Sequence, residues 1–316
     1  MWRVSHLSAE VLTSAAGEAT VITGNIQGLY TRRNKHKIDV LGDLARKSNA
    51  IVIALTETHL RKEVADAEVY IKGFHLIRQD RSQERVRGGV AIYLREDFVG
   101  EMKIISTGST GVVEWLAVYL EKKKMVLGCM YRPPSCNQID FRSALENLEK
   151  TLDELGSPSP IVLLCGDLNL PIIKWVEHGN IEGGSETMKI QAEMLKRFMR
   201  RLFLEQMVHV NTRQNNILDL VLTNNQDYIQ EISVRDTALS DHRLLEIGVQ
   251  PFQTIANQNR PNAFGNDLSR LNFRHKSVNW DQISAEYAEV PWYSVLQDLS
   301  VEEMYSSLCQ KITEVC

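Results

Sequence analysis

Apolar residues along this chain gather into short runs with two different rhythms. Eight runs rich in Val, Ile and Leu predict strands: Thr20–Ile26, Ala50–Leu55, Gly89–Leu94, Val113–Leu120, Met125–Tyr131, Ile161–Cys165, Ile217–Leu222 and Leu244–Val249. Between them Phe141, Leu145, Leu148, Leu152 and Leu155 recur at helical spacing, as do Met188, Leu195, Phe198 and Leu202. A run such as Ile161-Val162-Leu163-Leu164 offers no polar face to solvent, so it predicts a strand covered on both sides. Several strand runs follow one another too closely for a helical crossover, which predicts mixed rather than purely parallel pairing. The expected fold is α/β: a four-layered sandwich, two mixed sheets packed together with helices outside.

The pattern also divides the chain. Residues 1–19 precede the first strand as an N-terminal extension, and residues 20–250 hold every predicted strand. Around Pro251–Pro261 the composition shifts to Gln, Asn, Pro and Thr, a linker signal. Beyond it lie Trp280, Trp292 and an apolar stripe of Val301, Met304, Leu308, Ile312 and Val315, which predicts a final helix in a 251–316 tail.

Composition adds bounds. The chain has 316 residues, 43% hydrophobic and 24% charged, as an ordinary globular protein does. Its net charge is −4, so any polyanion must be met by local basic patches, and metal ions must offset an acidic cleft. Five cysteines, odd in number and without metal-type spacing, read as reduced thiols. The first twenty residues lack a signal-peptide core, and no run approaches the roughly 18 apolar residues of a membrane span. The expectation is an intracellular protein of nucleus or cytoplasm, with no membrane partner.

Polar residues at strand ends carry the candidate chemistry. Glu57 follows the Ala50–Leu55 run and Asn25 closes the first strand. Taken singly, the acid reads as a solvated loop residue and the amide as a turn former. Convergence changes that reading, because ligands bind outside strand ends. In Gly166-Asp167-Leu168-Asn169 the two polar residues lie two apart, so an extended backbone turns both to one face, toward one water or one phosphate oxygen. The competing reading is a Gly-Asp turn with an Asn cap. Ser240-Asp241-His242 precedes the last strand, and Asp219, set among apolar neighbours, needs a buried partner. Asp219 is suited to hold the ring nitrogen of His242 opposite the reacting one. Basic residues cluster at Arg32-Arg33-Asn34-Lys35-His36-Lys37 and at Arg81…Arg85-Val86-Arg87, in predicted loops near these residues and suited to backbone phosphates. Lys122–Lys124 and Lys196…Arg201 read as solvated faces.

The order Asn25, Glu57, Tyr131, Asp167 and Asn169, Asp219, Ser240-Asp241-His242 resembles the endonuclease/exonuclease/phosphatase family, which includes DNase I and apurinic endonucleases. Met130-Tyr131-Arg132-Pro133-Pro134, Gly166-Asp167-Leu168-Asn169-Leu170-Pro171 with Trp175, and Asn215–Thr223 are similar to the apurinic-like endonuclease domain of non-LTR, LINE-type retrotransposons. The segment after Asn279-Trp280 is similar to the linker that leads there to a reverse transcriptase, whose Tyr-Ala-Asp-Asp signature this chain lacks.

This resemblance implies a DNase I-like fold and a Mg²⁺-dependent endonuclease (Mn²⁺ substituting) that nicks DNA and leaves a 3′ hydroxyl. It also implies site roles. Glu57 binds the metal, with Asn25 and Asp241 close by; Tyr131 contacts the phosphate on the leaving-group side. Asp167 deprotonates or positions the water that Asn169 orients, and His242, held by Asp219, is the general acid/base or transition-state stabiliser. Ser240 supports the loop, and Thr212 contacts phosphate. Arg32, Arg33, Lys35, Lys37 and Arg87 are the expected DNA contacts. Two alternatives stand beside it: a phosphatase or lipid phosphodiesterase of the same fold, and a non-catalytic DNA- or protein-binding fragment. The stretch Glu177–Gly184 fits no functional pattern.

Overall fold

The computed structural model of the protein describes residues 19–30, 36–81, 87–156, 159–177 and 179–250, with scattered positions between 285 and 307. The chain runs β1 (Ala19–Asn25), α1 (His36–Lys47), β2 (Ala50–Thr56), β3 (Phe74–Gln79), β4 (Val90–Arg95), β5 (Met102–Ser109), β6 (Glu114–Leu120) and β7 (Met125–Tyr131). It continues through α2 (Gln138–Glu154), β8 (Ile161–Asp167), β9 (Ile173–Lys174), β10 (Asn180–Ile181), α3 (Glu186–Arg201), β11 (Glu205–Gln206), β12 (Asp219–Thr223), β13 (Ile229–Arg235) and β14 (Leu244–Val249).

Two six-stranded sheets result, ordered β13-β14-β1-β2-β4-β3 and β11-β12-β8-β7-β6-β5, beside a small β9–β10 pair. Each large sheet has one parallel pair, β1 with β2 and β7 with β8; every other pairing is antiparallel. A parallel pair requires a crossover, and α1 and α2 supply the two. Alternation along β1 shows the layering. Val21 joins a core with Val52, Ile92, Leu116 and Leu127, while Ile22 joins Leu41 and Ala45 of α1. Phe141 and Leu148 of α2 and Leu195 and Phe198 of α3 cover the second sheet. The four layers expected from the sequence are therefore present.

All four edge strands, β3, β5, β11 and β13, are absent from the eight runs the sequence suggests. An edge strand is paired on one side only and tolerates solvent. Accordingly β13 (Ile-Gln-Glu-Ile-Ser-Val-Arg) and β5 bury almost no continuous apolar run. Helix α1 was also unannounced: it begins at His36, so Lys37 is helical rather than part of a basic loop. The Pro251–Pro261 linker, Trp280, and the stripe residues Val301, Leu308, Ile312 and Val315 lie outside the described residues; Met304 is helical and exposed. Among the described residues no helix is long and apolar enough to cross a membrane.

Candidate active site

The parallel pairs aim their carboxyl ends at a common rim. Asn25 ends β1 and Glu57 follows β2 in the first sheet; Tyr131 ends β7 and Asp167 ends β8 in the second. The antiparallel neighbours begin at the same rim. Asp219, the first residue of β12, stands in register with Asp167, and His242 precedes β14 by two residues.

Local backbone chemistry fixes these positions. Gly166 has φ +149°, and a Cβ there would sit 1.9 Å from the Met130 carbonyl oxygen, so β8 can approach β7 and deliver Asp167 only with glycine. Four non-glycine residues around the rim, Gln27, Glu57, His59 and Asn169, hold left-handed φ values of 46–53°. Such backbone persists where surrounding contacts over-determine it and clusters at functional sites. Thr212 Oγ1 accepts from the backbone N–H of Leu218 (3.0 Å) and Asp219 (3.1 Å), which sets the start of β12.

Three hydrogen bonds cross from one sheet to the other. Asn25 Nδ2 donates to Asp167 Oδ2 at 2.8 Å, and also to Glu57 Oε1 at 3.0 Å within its own sheet. Tyr131 Oη donates to Glu57 Oε1 at 2.7 Å. His242 Nδ1 lies 2.7 Å from Asp219 Oδ2. The other ring nitrogen, Nε2, is 3.9 Å from Asp167 Oδ2. The active groups thus form a seam between the sheets, with Asn25, Asp167, Asp219 and His242 at most 2% exposed.

Electrostatics separates the acids. Burial opposes the charge of Glu57, but hydrogen bonds from His59, Tyr131 and Asn25 win, holding its carboxyl down at about 2. Asp167 goes the other way: burial, then the adjacent charge of Asp219, push it well above the carboxylate range. Burial disfavours imidazolium at His242, yet the hydrogen bond and charge of Asp219, with the charge of Asp167, outweigh it and raise the pKa. Burial and the Glu57 charge push the Tyr131 phenol up, so it stays a donor. Two carboxyl groups with opposed shifts, beside an imidazole whose protonated form is favoured, are the equipment of acid–base chemistry.

Supporting residues escaped the sequence reading. His59 Nε2 lies 3.2 Å from Glu57 Oε2, completing the set of bonds on that carboxylate. Arg132, wholly buried, donates from Nη1 to the carbonyls of Leu168 and Asn169 (3.1 Å each), bonds Gln191 from Nη2 and lies over Phe141. Asn169 Nδ2 returns a bond to the Arg132 carbonyl at 3.0 Å, and Asn169 N donates to Asp167 Oδ1 at 3.1 Å. Arg81, expected in a phosphate-facing basic loop, instead pairs with buried Glu114, which the sequence did not mark, and stacks 5.5 Å from the centre of the Tyr131 ring. Adjacency in sequence was the available signal for His59 and Arg132; nothing local marks Glu114 or Gln191.

The remaining expected site residues lie around this seam. Asp241 stands at its exposed mouth: Oδ1 is 3.9 Å from His242 Nε2, as near as Asp167, while Oδ2 takes Arg213 Nε (3.0 Å) and Nη2 (2.6 Å). Thr212 is fully buried with its hydroxyl committed to backbone, so it positions Asp219 instead of meeting phosphate. Ser240 Oγ accepts from His242 N at 3.1 Å and supports that loop. Lys37 Nζ donates to the carbonyls of Ile26 (2.6 Å) and Gln27 (3.2 Å), a brace beneath the Asn25 turn rather than a free cation. Arg87 is exposed; Arg32, Arg33 and Lys35 lie outside the described residues.

The donor set suits a hard divalent cation. One ligand atom each from Asp167, Asp219 and His242 fall within 4.8 Å of one another, and Asp219 Oδ1 is buried without a hydrogen-bond partner among the described residues. Glu57 adds a further carboxylate at the same seam, whereas Asn25 turns its Nδ2 there and its Oδ1 accepts from Gln27 N at 3.1 Å. Oxygen-rich donors match Mg²⁺ or Mn²⁺.

The comparisons agree with this architecture. The endonuclease domain of TRAS1, a telomere-specific non-LTR retrotransposon, superposes with TM-score 0.51 at 17% identity over 73% of this chain and 98% of that one. The AP endonuclease LMAP from Leishmania major gives 0.55 at 14% identity over 74% and 88%. An AP endonuclease from Archaeoglobus fulgidus gives 0.50 at 12% identity over 73% and 99%. No curated protein matches the chain in sequence. A profile of the Endonuclease/Exonuclease/phosphatase family, however, matches residues 22–242, from the first buried strand to the seam histidine. On that span, more than half its length, the chain belongs to the Endonuclease/Exonuclease/phosphatase family.

Proposed function

We propose that this protein is a Mg²⁺-dependent endonuclease that nicks DNA by hydrolysing a phosphodiester bond and leaves a 3′ hydroxyl, as in target-primed retrotransposition. The observation that carries the reading is the seam itself. The buried Asp167 carboxyl, an imidazole bonded at Nδ1 by Asp219, and a phenol donor (Tyr131) meet in one buried cluster. Asp167 takes a proton from the attacking water, whose oxygen forms the new bond to phosphorus. Imidazolium at His242 Nε2 faces the charge that builds on the phosphoryl oxygens. Tyr131, whose hydroxyl proton rests on Glu57 Oε1, turns it toward the 3′ oxygen as the bond from that oxygen to phosphorus breaks, and solvent supplies the proton that completes the 3′ hydroxyl. Glu57, with Asp167 and Asp219 alongside, would hold a divalent cation, which when bound supplies Lewis-acid stabilisation of that same charge.

The retrotransposon-like order of motifs supports DNA as the substrate, with a reverse transcriptase domain as partner and chromosomal DNA in the nucleus as target. The test offers supercoiled DNA, inositol phosphates and sphingomyelin in parallel, then asks whether a template-dependent polymerase extends the DNA product. Nicking followed by extension supports the reading. Turnover of the phosphate esters alone gives the substrate to a phosphatase or lipid phosphodiesterase, and DNA binding without turnover makes the chain a binding module.

A further inference from the structure

We infer that Arg213 is the residue that receives a DNA phosphate at the mouth of the seam, and that Asp241 is its resting partner, exchanged for the phosphate when substrate arrives. The inference rests on the DNA endonuclease reading and deepens it.

The seam is lined by acids, with Glu57, Asp219 and Asp241 beside the Asp167 carboxyl, so an incoming phosphodiester needs a cation that is both near and available. Apart from Arg87, exposed on the loop before Gly88, the described cations around it are committed. Arg81 is locked to buried Glu114, Arg132 lies buried behind Asn169, Lys37 braces two carbonyls, and Arg243 holds Asp236 and the Asn211 carbonyl. Arg213 differs in place rather than in exposure, at 33% against 44% for Arg243: its partner Asp241, 48% exposed, also sets Oδ1 3.9 Å from His242 Nε2 at the seam. Both contacting nitrogens, Nε and Nη2, address the single oxygen Oδ2. Such a pair forgoes the two parallel bonds of a fork on a carboxylate, and half-exposed ion pairs are weak. It is therefore easily exchanged.

The backbone, by contrast, is fixed. Thr212 N and Arg213 N donate to the Asn216 carbonyl (2.9 and 3.1 Å), Asn216 N donates back to Arg213 O (2.9 Å), and Arg243 N donates to Thr212 O (2.8 Å). This is the same turn whose Thr212 hydroxyl sets Asp219. A rigid base under an exchangeable guanidinium places the cation beside the His242–Asp219 pair, on the carboxylate whose Oδ1 lies 3.9 Å from His242 Nε2.

The test measures binding of a duplex oligonucleotide to the full chain by fluorescence anisotropy, in chelator and across a salt series, so that no metal chemistry enters. Arg213→Gln should weaken binding about 3–10-fold and lower the salt slope by about 1. Asp241→Asn should tighten binding by a similar factor, and the tightening should vanish in the Arg213→Gln background. Arg213→Lys, which keeps the charge and loses the fork, should fall between wild type and Arg213→Gln. Equal tightening by Asp241→Asn with and without Arg213 would reduce its effect to simple repulsion and overturn the inference, as would unchanged binding by Arg213→Gln. Plasmid nicking by the wild type, measured alongside, separates the two levels. Nicking with no Arg213 effect sinks only this inference, whereas absence of both nicking and DNA binding sinks the endonuclease reading with it.

Discussion

Asn25 and Asp167 belong to different sheets, yet Nδ2 of the first donates to Oδ2 of the second at 2.8 Å with neither side chain exposed. The same Nδ2 reaches Glu57, so one amide group ties the acid of lowered pKa to the acid of raised pKa. With Tyr131–Glu57 and His242–Asp219 it makes the seam a joint of the fold as well as a site. Catalytic geometry here depends on how the two sheets are docked. Substitutions that let the sheets slide should cost activity before they cost folding.

The imidazole and its acid form one unit. His242→Ala should lower the nicking rate about 10²–10³-fold, the range for removing a donor aimed at transition-state charge. Asp219→Asn should lose much of the same factor, and the double variant should be little worse than the worse single one. Fully additive losses in single-turnover kinetics would show that the 2.7 Å contact does not couple them.

Gly166 admits no side chain. With a Cβ 1.9 Å from the Met130 oxygen and φ at +149°, Gly166→Ala must part β8 from β7. The cost should exceed about 3 kcal/mol, in the range reserved for backbone clashes and core disruption. A thermal melt within a degree or two of wild type would contradict this packing.

Arg132 acts through the loop it holds. Arg132→Lys keeps the charge but cannot serve the Leu168 and Asn169 carbonyls together with Gln191. Stability should fall by about 1–3 kcal/mol, and kcat should fall more than KM rises, because Asn169 loses its anchor. An unchanged kcat in a destabilised variant would make the residue purely structural.

Glu57 gives a pH signature in the metal-free protein. Its carboxyl ordinarily titrates near 4.5 and in the fold at about 2. The depressed value means the charged form stabilises the fold. That contribution is complete above about pH 4.5 and is lost as pH falls through about 2. The stability gap between wild type and Glu57→Gln should therefore shrink as pH drops through this window in chemical denaturation. A gap that stays constant would mean the His59, Tyr131 and Asn25 bonds do not favour the charged form.

Much of this was legible in sequence, for a physical reason. Central strands are buried on both faces, so β1, β2, β4, β6, β7, β8, β12 and β14 announce themselves as apolar runs. The polar residues that interrupt their ends, Asn25, Glu57, Asp167 and His242, stand out against them. Edge strands such as β13 alternate with solvent-facing residues and carry no such contrast. The fate of the cations was hidden as well. Whether Lys37, Arg132 or Arg213 meets a substrate or a carbonyl depends on partners distant in sequence, as with Arg132 and Gln191, which are 59 residues apart. Thr212 shows the same limit: its neighbours in space, Leu218 and Asp219, turn it into a brace.

The measurement closest to the central claim is nicking of supercoiled plasmid by wild type and Asp167→Asn, each with Mg²⁺ and with chelator. Open-circle product should form only with wild type and Mg²⁺, while Asp167→Asn, near wild type in stability, should be slower by about 10² or more. Nicking by Asp167→Asn at the wild-type rate, or by wild type in chelator, would contradict the account of the seam as a metal-assisted acid–base site.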